Sequence, residues 1–266
     1  MSLARRRWSA WAAAILMACA VPMASGYAAD RERLLSDPGV FGTFAAFRVD
    51  AEWWKLDRAL RQSTLAEVKA VVDKHRDKLA IDTYLLRGLS DHADFMVRVH
   101  AAQLLDTQNF LLDLMATSFG RHVQNTVTLN GLTKRANYTP NFQDSLKAEL
   151  KTPPEAGPKP YAVVIPIKKD DQWWILDQDR RTALMAEHAE ATVAYLKTVK
   201  RKLYHSSGID DFDFITYFET ARLEDFNNLV INLEKVTENR YNRRFGHPTL
   251  LGTVRTLDEL IDTLAH

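Results

Sequence analysis

Trp53-Trp54-Lys55-Leu56-Asp57 is closely matched 120 positions later by Trp173-Trp174-Ile175-Leu176-Asp177. The likeness continues downstream, where further pairs match in the same order: Gly88-Leu89 with Gly208-Ile209, and Asp94-Phe95 with Asp213-Phe214. Self-similarity at a fixed spacing indicates that one structural unit is used twice. The sequence therefore predicts two related units in one chain.

Each unit is predicted to run β-α-β-β-α-β. In the second unit, residues 161–168 form a β-branched, apolar run typical of a strand, and Asp177 can cap a helix over residues 178–197. The later elements are expected in the order strand, strand, helix, strand, over residues 199–205, 212–219, 223–236 and 241–254. This is the ferredoxin-like order, and two such units could pack sheet against sheet.

A proline cluster separates the two units. The segment from Thr139 to Pro160 ends with four prolines, at positions 153, 154, 158 and 160, which disfavour both helix and central strand. The predicted fold class is thus α+β, with two tandem ferredoxin-like (βαββαβ) repeats and antiparallel sheets. The predicted divisions are a signal peptide, an N-terminal repeat, a Pro-rich linker and a C-terminal repeat, over residues 1–28, 29–139, 140–160 and 161–266.

The first 28 residues have the pattern of a secretory signal peptide. Arg5 to Arg7 form a basic region, residues 11–21 are apolar but too short to span a bilayer, and small residues precede a cleavage site after Ala28. We therefore expect a periplasmic protein with no membrane span. Cleavage would remove Cys19, the one cysteine, and leave a net charge of −2, which gives no indication of nucleic acid as a partner. A lipid anchor at Cys19 is the alternative, although Leu16-Met17-Ala18-Cys19 fits a lipoprotein box poorly.

Histidines are the remaining candidates for chemistry, since the sequence has no Gly-rich phosphate loop, zinc-like spacing or nucleophile elbow. Seven of the eight are predicted at the surface or in turns, namely His75, His92, His100, His122, His205, His247 and His266. His188 falls on the inner stripe of its helix, whereas the first repeat has Val68 at the equivalent position. Spacing alone favours a core histidine over a metal ligand, and it does not indicate which metal.

Longer runs in the second half carry a resemblance to a known family. They are Lys168-Lys169-Asp170-Asp171-Gln172-Trp173-Trp174, Val199-Lys200-Arg201-Lys202-Leu203-Tyr204-His205-Ser206-Ser207-Gly208, Asp213-Phe214-Ile215-Thr216-Tyr217-Phe218-Glu219-Thr220 and Gly246-His247-Pro248-Thr249-Leu250-Leu251-Gly252-Thr253. The sequence resembles the long-chain, exported branch of the chlorite dismutase family, densely over residues 161–254 and more loosely through the first repeat. The resemblance implies one haem b per chain, bound in the C-terminal repeat.

The resemblance also implies roles for single residues. The proximal haem ligand falls on His188, the carboxylate that accepts its second ring N–H on Glu238, and the distal arginine on Arg201. Thirteen residues of continuous helix would separate His188 from Arg201 by roughly 20 Å, so Arg201 must lie on the following strand if both are to face one iron.

Other matching positions surround the haem edge. Lys169, Trp173 and Trp174 match positions near the propionates, and Tyr138, after Asn137, matches another position near the haem. The tryptophan pair also occurs in the repeat that lacks the histidine, so part of its role is expected to be structural. Phe245 stands where some members of the family carry tryptophan.

The activity implied by the resemblance is conversion of chlorite to chloride and molecular oxygen through a ferryl and hypochlorite pair. Arg201 would hold the hypochlorite until the O–O bond forms. A homopentamer is implied as well. The alternatives are a haem peroxidase or a coproporphyrin decarboxylase of the same fold, the latter lacking the distal arginine, or a non-catalytic haem-binding protein.

Overall fold

The computed structural model describes residues 30–135 and 137–266, and the predicted signal peptide with Cys19 lies outside them. In these ranges no helix combines the length and apolarity needed to cross a membrane. The strands are β1 Phe41–Val49, β2 Leu79–Leu85, β3 Phe95–Ala101, β4 Val123–Leu132, β5 Tyr161–Lys169, β6 Val199–His205, β7 Phe214–Thr220, β8 Asn242–Phe245 and β9 Leu250–Arg255. The α-helices are α1 Arg31–Ser36, α2 Arg58–His75, α3 Leu104–Ala116, α4 Asp144–Glu149, α5 Asp171–Ile175, α6 Gln178–Thr192, α7 Leu223–Lys235 and α8 Leu257–Ala265.

Two antiparallel sheets with the same strand order confirm the predicted repeat. The first runs β4-β1-β3-β2, and the second runs β6-β7-β5 with β8 and β9 both paired to the far edge of β5. In each repeat the first and third strands lie at the centre, which is the ferredoxin-like arrangement. The α+β fold class with two tandem repeats is therefore confirmed.

The two sheets join edge to edge and do not pack face to face as the sequence suggested. Strand β4 pairs with β6 at Leu132 and His205, and β2 pairs with β9 from Thr83 to Leu85. These two junctions join both edges of the first sheet to the second sheet, in which β7 pairs with β5. The strands therefore close into a barrel. Buried aromatic side chains from both repeats fill its interior, among them Phe44, Tyr84, Tyr204 and Tyr217.

The repeated Asp-Phe pair has a structural cause. Asp94 Oδ2 accepts a hydrogen bond from the backbone N–H of Val49, at the end of β1, over 2.8 Å. Asp213 Oδ2 accepts the equivalent bond from Lys169, at the end of β5, over 2.9 Å. Each aspartate therefore ties the start of the third strand of its repeat to the end of the first, which explains why the sequence retains it twice.

Three expectations were wrong in detail. The last strand is two strands, because Gly246 and His247 take positive φ and Pro248 has no N–H to donate. The first helix of the second repeat is capped by Asp177 as predicted, but the α-helix ends at Thr192 and continues as a 3-10 turn. His100 is not at the surface: β3 is buried on both faces, and the His100 side chain has no exposed area.

Helices cover the outer faces of both sheets. The space between helices and sheet is nearly filled in the N-terminal repeat but open in the C-terminal repeat. On the N-terminal repeat, α8 inserts Leu260 and Leu264 beside Leu65 and Val68, leaving a void of about 20 Å³. On the C-terminal repeat, the linker helix α4 packs against α6 instead, through Leu146 and its neighbours. A cavity of about 760 Å³ remains there, between the helices and the sheet.

Candidate functional site

The cavity of the C-terminal repeat is lined by all seven residues that the sequence singled out. They are Tyr138, Lys169, Trp173, Trp174, His188, Arg201 and Glu238. Its volume of about 760 Å³ lies within the range of roughly 300–1,000 Å³ typical of small-molecule and cofactor sites. The structure therefore places the predicted site residues around one pocket.

Strand alternation determines which side chains of the sheet face this cavity. On β6, Arg201, Leu203 and His205 line it, whereas Tyr204 is buried in the barrel interior. Lys202 also reaches the lining, but its Nζ donates to the backbone carbonyl of Leu35. On β7, Thr216 and Phe218 line it in the same way, and Phe218 pairs with Arg201 in the strand register. A period of two is expected for any strand with two different faces.

His188 lies on α6, on the wall opposite the strands. Its Nδ1 is 3.0 Å from Glu238 Oε2. Burial, reinforced by the positive charges of Arg201 and Lys169, lowers the pKa of His188 to about 4. The imidazole is therefore neutral at pH 7, donates from Nδ1 to the carboxylate, and keeps a lone pair on Nε2. That is the state required of a metal-ligating histidine.

Glu238 connects His188 to a buried lysine. It lies in a 3-10 turn directly after α7, is 4% exposed, and its second oxygen, Oε1, contacts Lys169 Nζ. Burial lowers the pKa of Lys169 to about 7, while the charge of Asp213 acts in the opposite direction. Lys169 Nζ also lies 4.5 Å from the centre of the Trp173 ring. The lysine predicted near a propionate is thus paired within the protein.

Arg201 faces His188 from the strand wall. The prediction that the two residues lie on different elements is confirmed, because α6 ends at Thr192 and β6 begins at Val199. Desolvation lowers the pKa of Arg201, but a guanidinium remains protonated at any physiological pH. The cavity therefore holds a fixed positive charge opposite a neutral imidazole.

The two tryptophans differ in their surroundings. Trp173 is 2% exposed, whereas Trp174 is 44% exposed and stacks on Phe214 at a ring distance of 6.2 Å. In the first repeat, the indole N–H of Trp53 donates to the backbone carbonyl of Leu264 in α8, over 2.9 Å. The first tryptophan of each pair is thus a core residue, as its repetition suggested. Phe245 also lines the cavity.

Several cavity residues were missed by the sequence analysis. Arg181 lies seven residues before His188, two turns away on the same face of α6, so helical periodicity could have found it. Its Nε is buried without a hydrogen-bond partner among the described residues. Lys134 and Lys202 also line the cavity, but no local pattern marks Lys134, which follows β4 in an irregular segment.

Comparison with known proteins agrees with this geometry. The sequence profile of chlorite dismutases matches residues 43–255. The chain belongs to the chlorite dismutase family. It is 43% identical to the chlorite dismutase of Ideonella dechloratans over 238 residues, which cover 89% of this chain and 84% of the relative.

Solved structures and one further relative extend the comparison. The chlorite dismutase of Candidatus Nitrospira defluvii, solved in complex with imidazole, is 57% identical and superposes with a TM-score of 0.88, covering 90% of this chain and 100% of that one. The coproheme decarboxylase of Mycolicibacterium smegmatis is 25% identical over 77% of this chain and 86% of its own. A haem-binding protein from Thermus thermophilus, 18% identical with a TM-score of 0.71, shares the fold over 86% of this chain and 96% of its own.

Proposed function

We propose that this protein is a haem b-dependent chlorite dismutase, which converts chlorite to chloride and molecular oxygen. One observation carries the proposal: His188, backed by Glu238, faces Arg201 across a cavity of about 760 Å³. A neutral imidazole on one wall suits an iron ligand, and a permanent cation on the other suits an oxyanion. The relative that shares 43% of its sequence with this chain bears the same activity in its name.

The residues present fit a porphyrin. Apolar side chains from both walls would contact its faces, namely Ile167, Met185, Phe218, Leu229 and Leu233. The buried, unpartnered Nε of Arg181, a residue that lines the cavity, leaves an N–H donor for an anionic substituent of a ligand to satisfy. A group with an apolar body and charged substituents matches this lining.

His188 would hold the haem iron through Nε2, and Glu238 would fix the orientation of the ring by accepting the Nδ1 hydrogen. The haem, when bound, supplies the redox chemistry by which chlorite is cleaved and oxygen is formed. Lys169 contacts the second oxygen of Glu238 and so holds the buried carboxylate in place. These three residues position the cofactor.

Arg201 would act on the substrate. Its guanidinium offers several N–H donors with a fixed charge, so it can bind chlorite on arrival and retain the oxyanion released from it. Retention keeps both reacting fragments in one cavity, which makes their recombination effectively unimolecular. Phe218 and Leu203, beside Arg201, limit the water around it.

An oxygen electrode tests the function directly. Purified holoprotein given chlorite should release one O₂ per chlorite consumed. Absence of oxygen, with intact haem, would refute the activity and leave the alternatives: peroxide-driven dye oxidation would indicate a peroxidase, and loss of propionate groups from coproheme with peroxide would indicate a decarboxylase. Haem binding without any of these reactions would indicate a carrier or sensor.

The haem type and stoichiometry form part of the proposal. The second repeat provides a cavity of about 760 Å³, whereas the equivalent space of the first repeat is filled by α8. We therefore expect one haem b per chain. A pyridine haemochrome spectrum identifies the haem, and its ratio to protein by amino-acid analysis gives the count.

Export and assembly are proposed on the sequence pattern and the family. Cleavage after Ala28 would release a periplasmic protein, so mass spectrometry of periplasmic material should find a mature chain that begins at Ala29. A lipid anchor at Cys19 would instead place the protein in the membrane fraction. Sedimentation equilibrium should give five times the mass of the mature chain if the protein forms the proposed homopentamer.

A further inference from the structure

The charges around the cavity are unbalanced. Five basic residues line it, namely Lys134, Lys169, Arg181, Arg201 and Lys202, whereas Glu238 is the one carboxylate among the described lining residues. Glu238 is 4% exposed and already contacts Lys169. The other four cations therefore lack a carboxylate within the lining, so the lining carries a net positive charge.

These cations are distributed unevenly between the walls. Arg181 belongs to α6, which also carries His188. Arg201 and Lys202 lie on β6, and Lys134 follows the end of β4, which pairs with β6 through Leu132 and His205. Three of the four cations thus belong to the strand wall, which faces the side where a substrate of the proposed enzyme would bind.

Lys134 is more exposed to solvent than Lys202, the neighbouring lysine of the strand wall. Lys202 is half-buried and its Nζ donates to the backbone carbonyl of Leu35, so it is committed to the fold. Lys134 is exposed to solvent and also lines the cavity, so it lies where the cavity opens. Burial lowers the pKa of His205, which also lines the cavity and pairs with Leu132 of β4, and the positive charge of Lys134 lowers it further. Lys134 therefore projects its field into the cavity.

We propose that Lys134 steers small anions electrostatically through the opening of the cavity towards Arg201. The inference rests on the proposed haem site and adds the route of its substrate. A cleft lined by one sign of charge concentrates counter-ions and raises their association rate, and salt suppresses the effect. Lys134 would act on the arrival of the anion and have no part in its conversion.

Stopped-flow binding of two probes to the ferric holoprotein tests this. Azide is an anion, and imidazole, at a pH where it is uncharged, reports steric access alone. For Lys134→Gln at roughly 10 mM ionic strength, the azide association rate should fall about threefold, and for Lys134→Glu about tenfold, with the difference vanishing near 1 M salt. Imidazole association should be unchanged, and Lys134→Arg should restore the azide rate.

The matched control is Lys159→Gln, which removes the same charge from a partly exposed lysine that does not line the cavity. An unchanged azide rate in Lys134→Gln would overturn the proposal, and so would an equal fall for imidazole or for Lys159→Gln. Loss of haem from Lys134→Gln would also overturn it, by making Lys134 a cofactor-holding residue. Azide binding does not depend on turnover. If chlorite gave no oxygen, the proposed function would be refuted, but the azide measurements would still test the role of Lys134.

Discussion

Val68 and His188 are the eleventh residues of α2 and α6, and they occupy the same place in the two repeats. Val68 is 8% exposed and packs in the core formed with α8, whereas His188 lines the large cavity. One duplicated helix has therefore provided a core residue in one copy and a candidate ligand in the other. The difference depends as much on what covers each helix as on the residue itself.

Replacement of His188 by alanine should abolish stable haem binding. The variant loses the ring that Glu238 orients, and no other histidine of the described chain is placed on that wall of the cavity. Absorbance at the Soret band relative to protein gives the measurement. His205→Ala, which removes a histidine from the opposite wall, is the control and should keep its haem. Added imidazole should partly restore binding to His188→Ala, because it can enter the space left by the side chain.

Introduction of a histidine at Val68 should not create a second haem site. The void beside Val68 is about 20 Å³, so the cofactor has no room there, and the new polar ring lacks a partner equivalent to Glu238. We expect Val68→His to lower the free energy of unfolding by about 2 kcal/mol and to leave one haem per chain. Urea denaturation and the haemochrome ratio check both points. Two haems per chain would contradict the role assigned to α8.

Removal of the Glu238 carboxylate should destabilise the fold as well as the ligand. Glu238→Gln leaves the Lys169 ammonium, 5% exposed, without the charge it contacts. We expect a loss of about 3 kcal/mol in apoprotein stability, measured by urea denaturation, and a partial recovery when Lys169→Met is added. Glu52→Gln, which breaks the exposed pair with Lys55, is the control and should cost less than about 1 kcal/mol. Equal effects of the two glutamine variants would show that burial of the Glu238 pair is unimportant.

The sequence predicted the repeats because their signals are local. The Asp-Phe pair and the cap at Asp177 each act within one unit, and each is found where expected. The tryptophan pair is also a local sequence signal, although the Trp53 indole donates to Leu264 of α8, which follows the other repeat. Barrel closure depends on a few residue pairs between β4 and β6 and between β2 and β9, which no periodicity marks. The position of α8 on the other repeat is likewise a long-range contact.

Some residues of the candidate site are likewise marked by a local sequence pattern, and others are not. The periodicity of α6 indicates the face that His188 occupies, whereas Arg201 was singled out by the family resemblance. Once both residues were required to face one iron, helix geometry predicted that they lie on two elements. Glu238 has no such signal, since it lies in a short 3-10 turn, and its assignment came from the family resemblance. His100 was assigned wrongly because a histidine in a strand suggests a polar face, whereas both faces of β3 are covered.

His100 should make stability depend on pH. Its Nε2 lies 2.7 Å from the Tyr204 hydroxyl, and burial, with the nearby charge of Arg98, lowers its pKa to about 3. In the unfolded chain a histidine titrates near 6.5, so below that pH the unfolded state binds a proton that the folded state excludes. This contribution is fully present above pH 6.5 and is lost as the pH falls towards 3.

Between pH 7 and pH 5 the loss from His100 should be about 2 kcal/mol. The measurement is the free energy of urea unfolding at both pH values, for the wild-type protein and for His100→Gln, whose amide can still bond to Tyr204. The variant should lose about that much less stability on acidification than the wild type. Parallel losses in both proteins would mean that His100 is protonated in the folded state as well.

Replacement of Arg201 should uncouple chlorite consumption from oxygen release. Alanine removes the fixed charge opposite His188, so the oxyanion formed from chlorite is no longer retained in the cavity. We expect kcat for oxygen release to fall about a hundredfold, with more hypochlorite captured by a chlorinatable dye. Arg201→Lys keeps the charge but loses the planar set of donors, so its kcat for oxygen release should lie between those of the wild type and Arg201→Ala. Arg243→Ala, at an exposed position on β8, is the control and should match the wild type. If Arg201→Ala released oxygen at the wild-type rate with no additional chlorination, the retention role of this arginine would be wrong, even in a protein that is a chlorite dismutase.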